Sequence, residues 1–189
     1  MTDLKRRGDK RERLVAAAID LLHRQGVQRT TLAEIAAAAD VPLGNVYYYF
    51  KTRDDIVHAV IERRLDELGA ALAQLEARRT PKARLKGLAE LWSTSAEMVA
   101  ADGCPLGGLS LELNKCHGEL TEHAQAILAR IVGWAEQQFR ELGLRDPRGL
   151  AVHYVSGVQG AALLANTFGD APLLVAEVRR LERWLDELA

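Results

Sequence analysis

The chain has 189 residues, 48% of them hydrophobic, which supplies apolar surface for one good-sized core or two small ones. No apolar run approaches the ~18 residues of a membrane span, and two cysteines, Cys104 and Cys116, are too few for a disulfide framework. The net charge of −1 hides an asymmetry: residues 1–53 hold 10 Lys and Arg against 6 Asp and Glu, a surplus of +4, which leaves −5 for the rest.

The opening "MTDLKRRGDKRERLV" carries charges with no apolar run behind them, so a cytoplasmic protein without a membrane partner is expected. Lys5, Arg6, Arg7, Lys10, Arg11 and Arg13 form a basic arm of the kind that meets phosphates. Composition alone is equally satisfied by a solvated tail.

Strand signals are nearly absent and Ala, Leu, Glu and Arg dominate, which predicts an all-α fold. A first helix is expected from about Lys10 to Gln25, with Leu14, Ala18, Leu21 and Leu22 on one face and Gly26 as its stop. Thr31 can cap a short second helix, and Glu34 three residues on completes a capping box. Asp40, Val41 and Pro42 then break the pattern, and a third helix begins near Leu43: helix, tight turn, helix.

The run Tyr47, Tyr48, Tyr49, Phe50 lies on this third helix. Helical spacing turns Val46, Tyr49 and Phe50 inward and leaves Gly44, Asn45, Tyr47 and Tyr48 outward, with Lys51 adding a cation at the end. An amide, two phenols and a glycine that permits close approach suit base edges and phosphate oxygens. A small helical domain whose tyrosines cover its own core would produce the same spacing.

A long fourth helix follows from near Arg53 to about Arg78, and Thr80 with Pro81 opens a fifth carrying Leu85, Leu88, Trp92, Ser95, Ala96 and Val99 in one stripe. After "ADGCPLGG" the pattern predicts a short helix around Leu109 to Leu113 and long ones at about 120–142, 147–168 and 172–188. Leu174, Val178, Leu181, Leu185 and Leu188 stand at near-heptad spacing, a seam for a partner helix, and Gly157, Gly160, Ala161 and Ala165 would permit close helix approach. Internal packing would account for the seam as well. The total is about nine helices.

The span "AAAIDLLHRQGVQRTTLAEIAAAADVPLGNVYYYFKTRDDIV" resembles the DNA-binding domain of the TetR/AcrR family of transcriptional regulators, with the Gly26 stop, the Thr31 cap, "EIAAAADV", Gly44, "VYYYF", Lys51 and the following "DD" in register. The resemblance covers a quarter of the chain. It implies that the third helix reads DNA, with base or phosphate roles for Asn45, Tyr47 and Tyr48, a phosphate role for Lys51, and a backbone contact through Thr31. Pro42-Leu43 departs from the Ser or Lys common in the family at that place, so base preference there does not carry over. It further implies a helix-turn-helix head over residues 1–53 and a larger helical body over residues 54–189 that binds an effector and dimerises through its last two helices. Two heads related by symmetry would read a palindromic operator on double-stranded DNA. A small molecule that favours a different head separation would release it through a coupling of typically 1–3 kcal/mol.

Within such a body Trp92, Trp134, His153 and Tyr154 are candidate ligand contacts, with Met98 and Phe168 beside them; each is also an ordinary core residue. Cys104 in "DGCPLGGLSLEL" precedes a helix start, where unpaired N–H groups raise thiol reactivity. The segment resembles the loop of TetR-family repressors that sense electrophiles or oxidants through a cysteine, which makes Cys104 a candidate sensor; a packed core thiol is the alternative. In "HGELTEH" the spacing of His117, Glu119 and His123 matches no standard metal site. No nucleophile–base pair or phosphate-binding glycine loop is present, so neither an enzyme nor a cofactor is expected. The rival readings are a helical interaction module or a helical enzyme without DNA binding.

Overall fold

The computed structural model describes the backbone of residues 3–116 and 120–188; His117, Glu119 and the side chains of residues 3–8 and Cys116 lie outside the described residues. The described residues form ten helices and no strand: α1 (Asp3–Gln25), α2 (Leu32–Ala38), α3 (Leu43–Tyr49), α4 (Arg53–Leu75), α5 (Pro81–Thr94), α6 (Ala96–Asp102), α7 (Pro105–Cys116), α8 (Leu120–Glu141), α9 (Pro147–Phe168) and α10 (Ala171–Glu187). They separate into two compact units, residues 1–65 with 109–125, and residues 66–108 with 126–189.

The boundaries follow from capping. Gly26 ends α1 at φ 84°, a conformation that favours glycine. Thr31 and Glu34 form the expected reciprocal box at the start of α2. Thr52 and Asp55 repeat it at α4: the Thr52 hydroxyl accepts from Asp55 N at 3.1 Å, and the Asp55 carboxylate accepts from the backbone N–H groups of Lys51 and Thr52. Thr80, Asp146 and Asp170 cap α5, α9 and α10, each with proline in the first turn.

Three elements differ from the sequence expectation. First, α1 begins seven residues earlier than Lys10, because the charged residues before it are mostly good helix formers. Second, the fifth helix divides at Ser95, which raises the count from about nine to ten. The hydroxyls of Ser93 and Thr94 both donate to the carbonyl of Glu90, at 3.0 and 2.8 Å, and compete there with the backbone ladder. Third, the apolar seam of α10 turns inward. Leu174, Val178 and Leu185 are buried where α10 packs on α9 and α5, and a Cβ on Gly157 would meet Leu181 at 3.1 Å. Ala161 and Ala165 are buried with them. The seam closes this chain's own body. Outward-facing apolar groups lie instead on α9, at Val152, Leu163, Leu164 and Phe168, beside the open Gly160.

In the first unit Leu14, Ala18, Leu22, Ile35, Val46, Phe50, Ile56 and Ile61 are buried. In the second, Leu85, Leu88, Ile131, Phe139, Tyr154, Leu174 and Leu185 are, with the Phe139 ring edge-on to Tyr154 and to Trp184.

Candidate nucleic-acid interface and body cavity

The turn between α2 and α3 is held from outside the motif. Asp40 adopts φ 50°, a left-handed conformation that costs a non-glycine residue. The Arg13 guanidinium on α1 donates to the carbonyls of Ala39 and Asp40 and reaches the Asp40 carboxylate at 3.1 Å. Val41 and Val46 are buried on either side of Pro42. The Arg13 side chain thus ties α1 to an α2 end that its own backbone closes, through Asp40 N to Ala37 O at 3.1 Å and Val41 N to Ala36 O at 2.9 Å.

The outer face of α3 is as its spacing predicts. Tyr47 and Tyr48 are 48% and 61% exposed, Gly44 is exposed, and Asn45 is half-buried. A Cβ placed on Gly44 would meet nothing within 4 Å, so no contact within the chain requires glycine there. Inward, Val46 and Phe50 are buried, while Tyr49 is only half-buried and meets Tyr48 edge-on at 5.0 Å. Arg11 lies 5.4 Å over the Phe50 ring. Lys51 is exposed, and its ammonium donates to the Tyr47 carbonyl at 2.6 Å, a cation at the C-terminal end of the helix. Thr31 is exposed at the head of α2, its hydroxyl shared with Glu34. Hydrogen bonds from Thr31 hold the Glu34 carboxyl below its usual range, and the backbone N–H of Thr52 does the same for Asp55.

In the second unit a cavity of about 130 Å³ lies among Leu68 of α4, Leu88, Leu91 and Trp92 of α5, Met98 and Val99 of α6, Ser95, and the Cys104–Leu106 turn. Cys104 stands at the N-cap position of α7, its sulfur accepting from the backbone N–H of Gly107 at 3.4 Å. Of the residues expected at a ligand site, Trp92, Cys104 and Met98 come together here.

Trp134, His153 and Tyr154 do not line this cavity. Trp134 donates through Nε1 to Glu76 at 2.6 Å, in a polar cluster where Glu76 and Glu141 also pair with Arg84. His153 is exposed, its ring 5.0 Å from Trp184. Tyr154 is buried, donates to the Leu85 carbonyl at 2.7 Å, and has its hydroxyl pKa pushed up by that burial. Phe168 is 66% exposed on α9. Sequence reading missed the leucines of the cavity wall, which share the spacing of core leucines. His123, the described member of the "HGELTEH" group, faces the His58 ring at 4.7 Å, and no group of three described residues is placed to hold a metal.

A short helix presented by a tight turn, with polar and aromatic groups outward, defines a helix-turn-helix DNA-binding head. Residues 14–60 match the model for "Bacterial regulatory proteins, tetR family". The transcriptional regulator AcuR from Cereibacter sphaeroides is 31% identical over 170 residues, covering 80% of this chain and 74% of AcuR. The HTH-type regulator BetI from Burkholderia ambifaria is 32% identical over 81 residues, so the chain spans only about two fifths of that relative's length, 42% of each chain. A TetR regulator structure from Chloroflexus aurantiacus aligns over 97% of both chains with a TM-score of 0.86 at 20% identity. The chain belongs to the TetR family of transcriptional regulators.

Proposed function

We propose that the protein is a homodimeric repressor that binds an inverted-repeat operator through residues 1–53 and releases it when residues 54–189 take up a small molecule or when Cys104 is modified. The observation that carries this reading is the outer face of α3, where Tyr47 and Tyr48 stand exposed beside Gly44 with nothing of the chain's own filling the space next to it. Asn45 and Tyr47 would meet base edges, while Thr31, Tyr48 and Lys51 would meet phosphates. One seven-residue helix makes too few base contacts for useful discrimination, so two heads about 34 Å apart, or a multiple of that, are needed. The exposed apolar groups of α9 supply a surface on which a second copy would pack. A cytoplasmic location follows from this role, and among the described residues no helix is long and apolar enough to cross a membrane.

The test is selection of genomic fragments by the purified protein at near-physiological salt. Enrichment of one palindrome, with affinity falling steeply as salt rises, is the expected outcome; no enrichment, or binding insensitive to salt, overturns the reading. The role of Cys104 is tested separately. Cys104→Ser is expected to keep operator affinity within about twofold and to lose release by an electrophile such as N-ethylmaleimide. Equal release from variant and parent assigns induction to another group.

A further inference from the structure

The body cavity carries enough chemistry to specify its occupant. Its volume, about 130 Å³, is near that of an engineered protein cavity of ~150 Å³ that takes up benzene. No Lys, Arg, His, Asp or Glu is among its lining residues. Its wall is made by groups such as Leu88, Trp92, Met98 and Leu106, with the Ser95 hydroxyl, the Cys104 thiol and the Trp92 indole N–H as its polar side-chain groups. A charged ligand would leave its hydration shell and meet no counter-charge there. Leu91 and Met98 are 42% and 37% exposed, so the entrance is apolar as well.

A second observation lies beside the Cys104 turn. Gln159 Nε2 is buried and has no hydrogen-bond partner among the described residues. A Cβ on Gly107 would stand 2.4 Å from Gln159 Oε1 and 3.6 Å from Cys104 Sγ, so the amide and the thiol flank the same point on the first turn of α7. A buried donor without an acceptor costs free energy that an acceptor brought by a ligand would recover.

We infer that the cavity binds an uncharged, mainly apolar molecule of about six to eight heavy atoms whose one hydrogen-bond acceptor is turned toward the Cys104–Gly107 turn and accepts a hydrogen bond from Gln159 Nε2, which is not itself among the lining residues. This rests on the reading of residues 54–189 as the effector-binding body, and it narrows the effector class. Carboxylates, phosphorylated compounds and cations are disfavoured by the wall, which offers them no counter-charge.

The test uses the full chain without DNA and three probes of similar size: benzyl alcohol, toluene and benzoate. Binding is read from tryptophan fluorescence, since Trp92 lines the cavity, and from the melting temperature. Benzyl alcohol is expected to bind saturably and raise the melting temperature, toluene about tenfold more weakly, and benzoate at least about a hundredfold more weakly. In Gln159→Leu the preference for benzyl alcohol over toluene should vanish while toluene binding persists, which separates loss of the donor from loss of the fold. Benzoate binding as tightly as benzyl alcohol, an unchanged preference in Gln159→Leu, or no saturable binding of any probe would each overturn the inference. Operator selection with the same preparation shows independently whether the regulator reading stands, so the two failures are distinguishable.

Discussion

Arg13 shows how much of the reading head depends on one side chain outside the helix-turn-helix. Its guanidinium meets two carbonyls and a carboxylate at the turn where Asp40 holds a left-handed conformation. Arg13→Ala is expected to cost about 1–2 kcal/mol in chemical denaturation and to weaken operator binding; Arg13→Lys should recover part, because all the contacts come from one guanidinium nitrogen, Nη2, which an ammonium on a shorter side chain replaces only incompletely. This contact joins residues 26 and 27 positions apart, so no local pattern announces it. The Thr31 box was legible, because Thr-x-x-Glu is a local signal of caps. Glu34 and Asp55 both have lowered pKa values in the folded state. The stability they contribute is therefore complete above the ordinary carboxylate range, about pH 4, and is lost as pH falls through their lower folded values. Glu34→Gln keeps the cap's geometry and removes one of these protons, so the fall of melting temperature below about pH 4 should become shallower than in the parent.

Periodicity states which positions share a face; it does not state what that face meets. On α3 it held for Val46 and Phe50, which are buried, and for Tyr47 and Tyr48, which are exposed, while Tyr49 and Asn45 are each half-buried. On α10 it left a partner helix and internal packing both open, and Leu174, Val178 and Leu185 pack on α9 and α5 of the same chain. Among the described residues α9 carries exposed apolar groups, with Leu163 and Phe168 65% and 66% exposed. Leu163→Asp with Phe168→Ser is accordingly expected to raise the dimer dissociation constant by at least about a hundredfold in analytical ultracentrifugation, with helical content unchanged. Val178→Asp, by contrast, buries a charge and should unfold the body. The division of α5 from α6 escaped sequence reading for a different reason. Ser93 and Thr94 can point to solvent or bond back to their own helix, and only tertiary context decides.

For the whole molecule, the all-α class and the position of the third helix were legible from composition and spacing, since each is a property of consecutive residues. The cavity was not. It is a gap bounded by four helices and a turn, and Leu68, Leu88 and Val99 beside it look like any core leucine or valine. Gly44 is the opposite case, a gap that the sequence does mark. Its neighbourhood is empty, and glycine inside a helix costs roughly 1 kcal/mol relative to alanine. Gly44→Ala should therefore raise the unfolding free energy by up to about 1 kcal/mol while lowering operator affinity by about tenfold or more, measured by denaturation and by fluorescence anisotropy on DNA. A screen that rewards heat resistance alone would collect this substitution early, and would return a sturdier protein that had stopped controlling its gene.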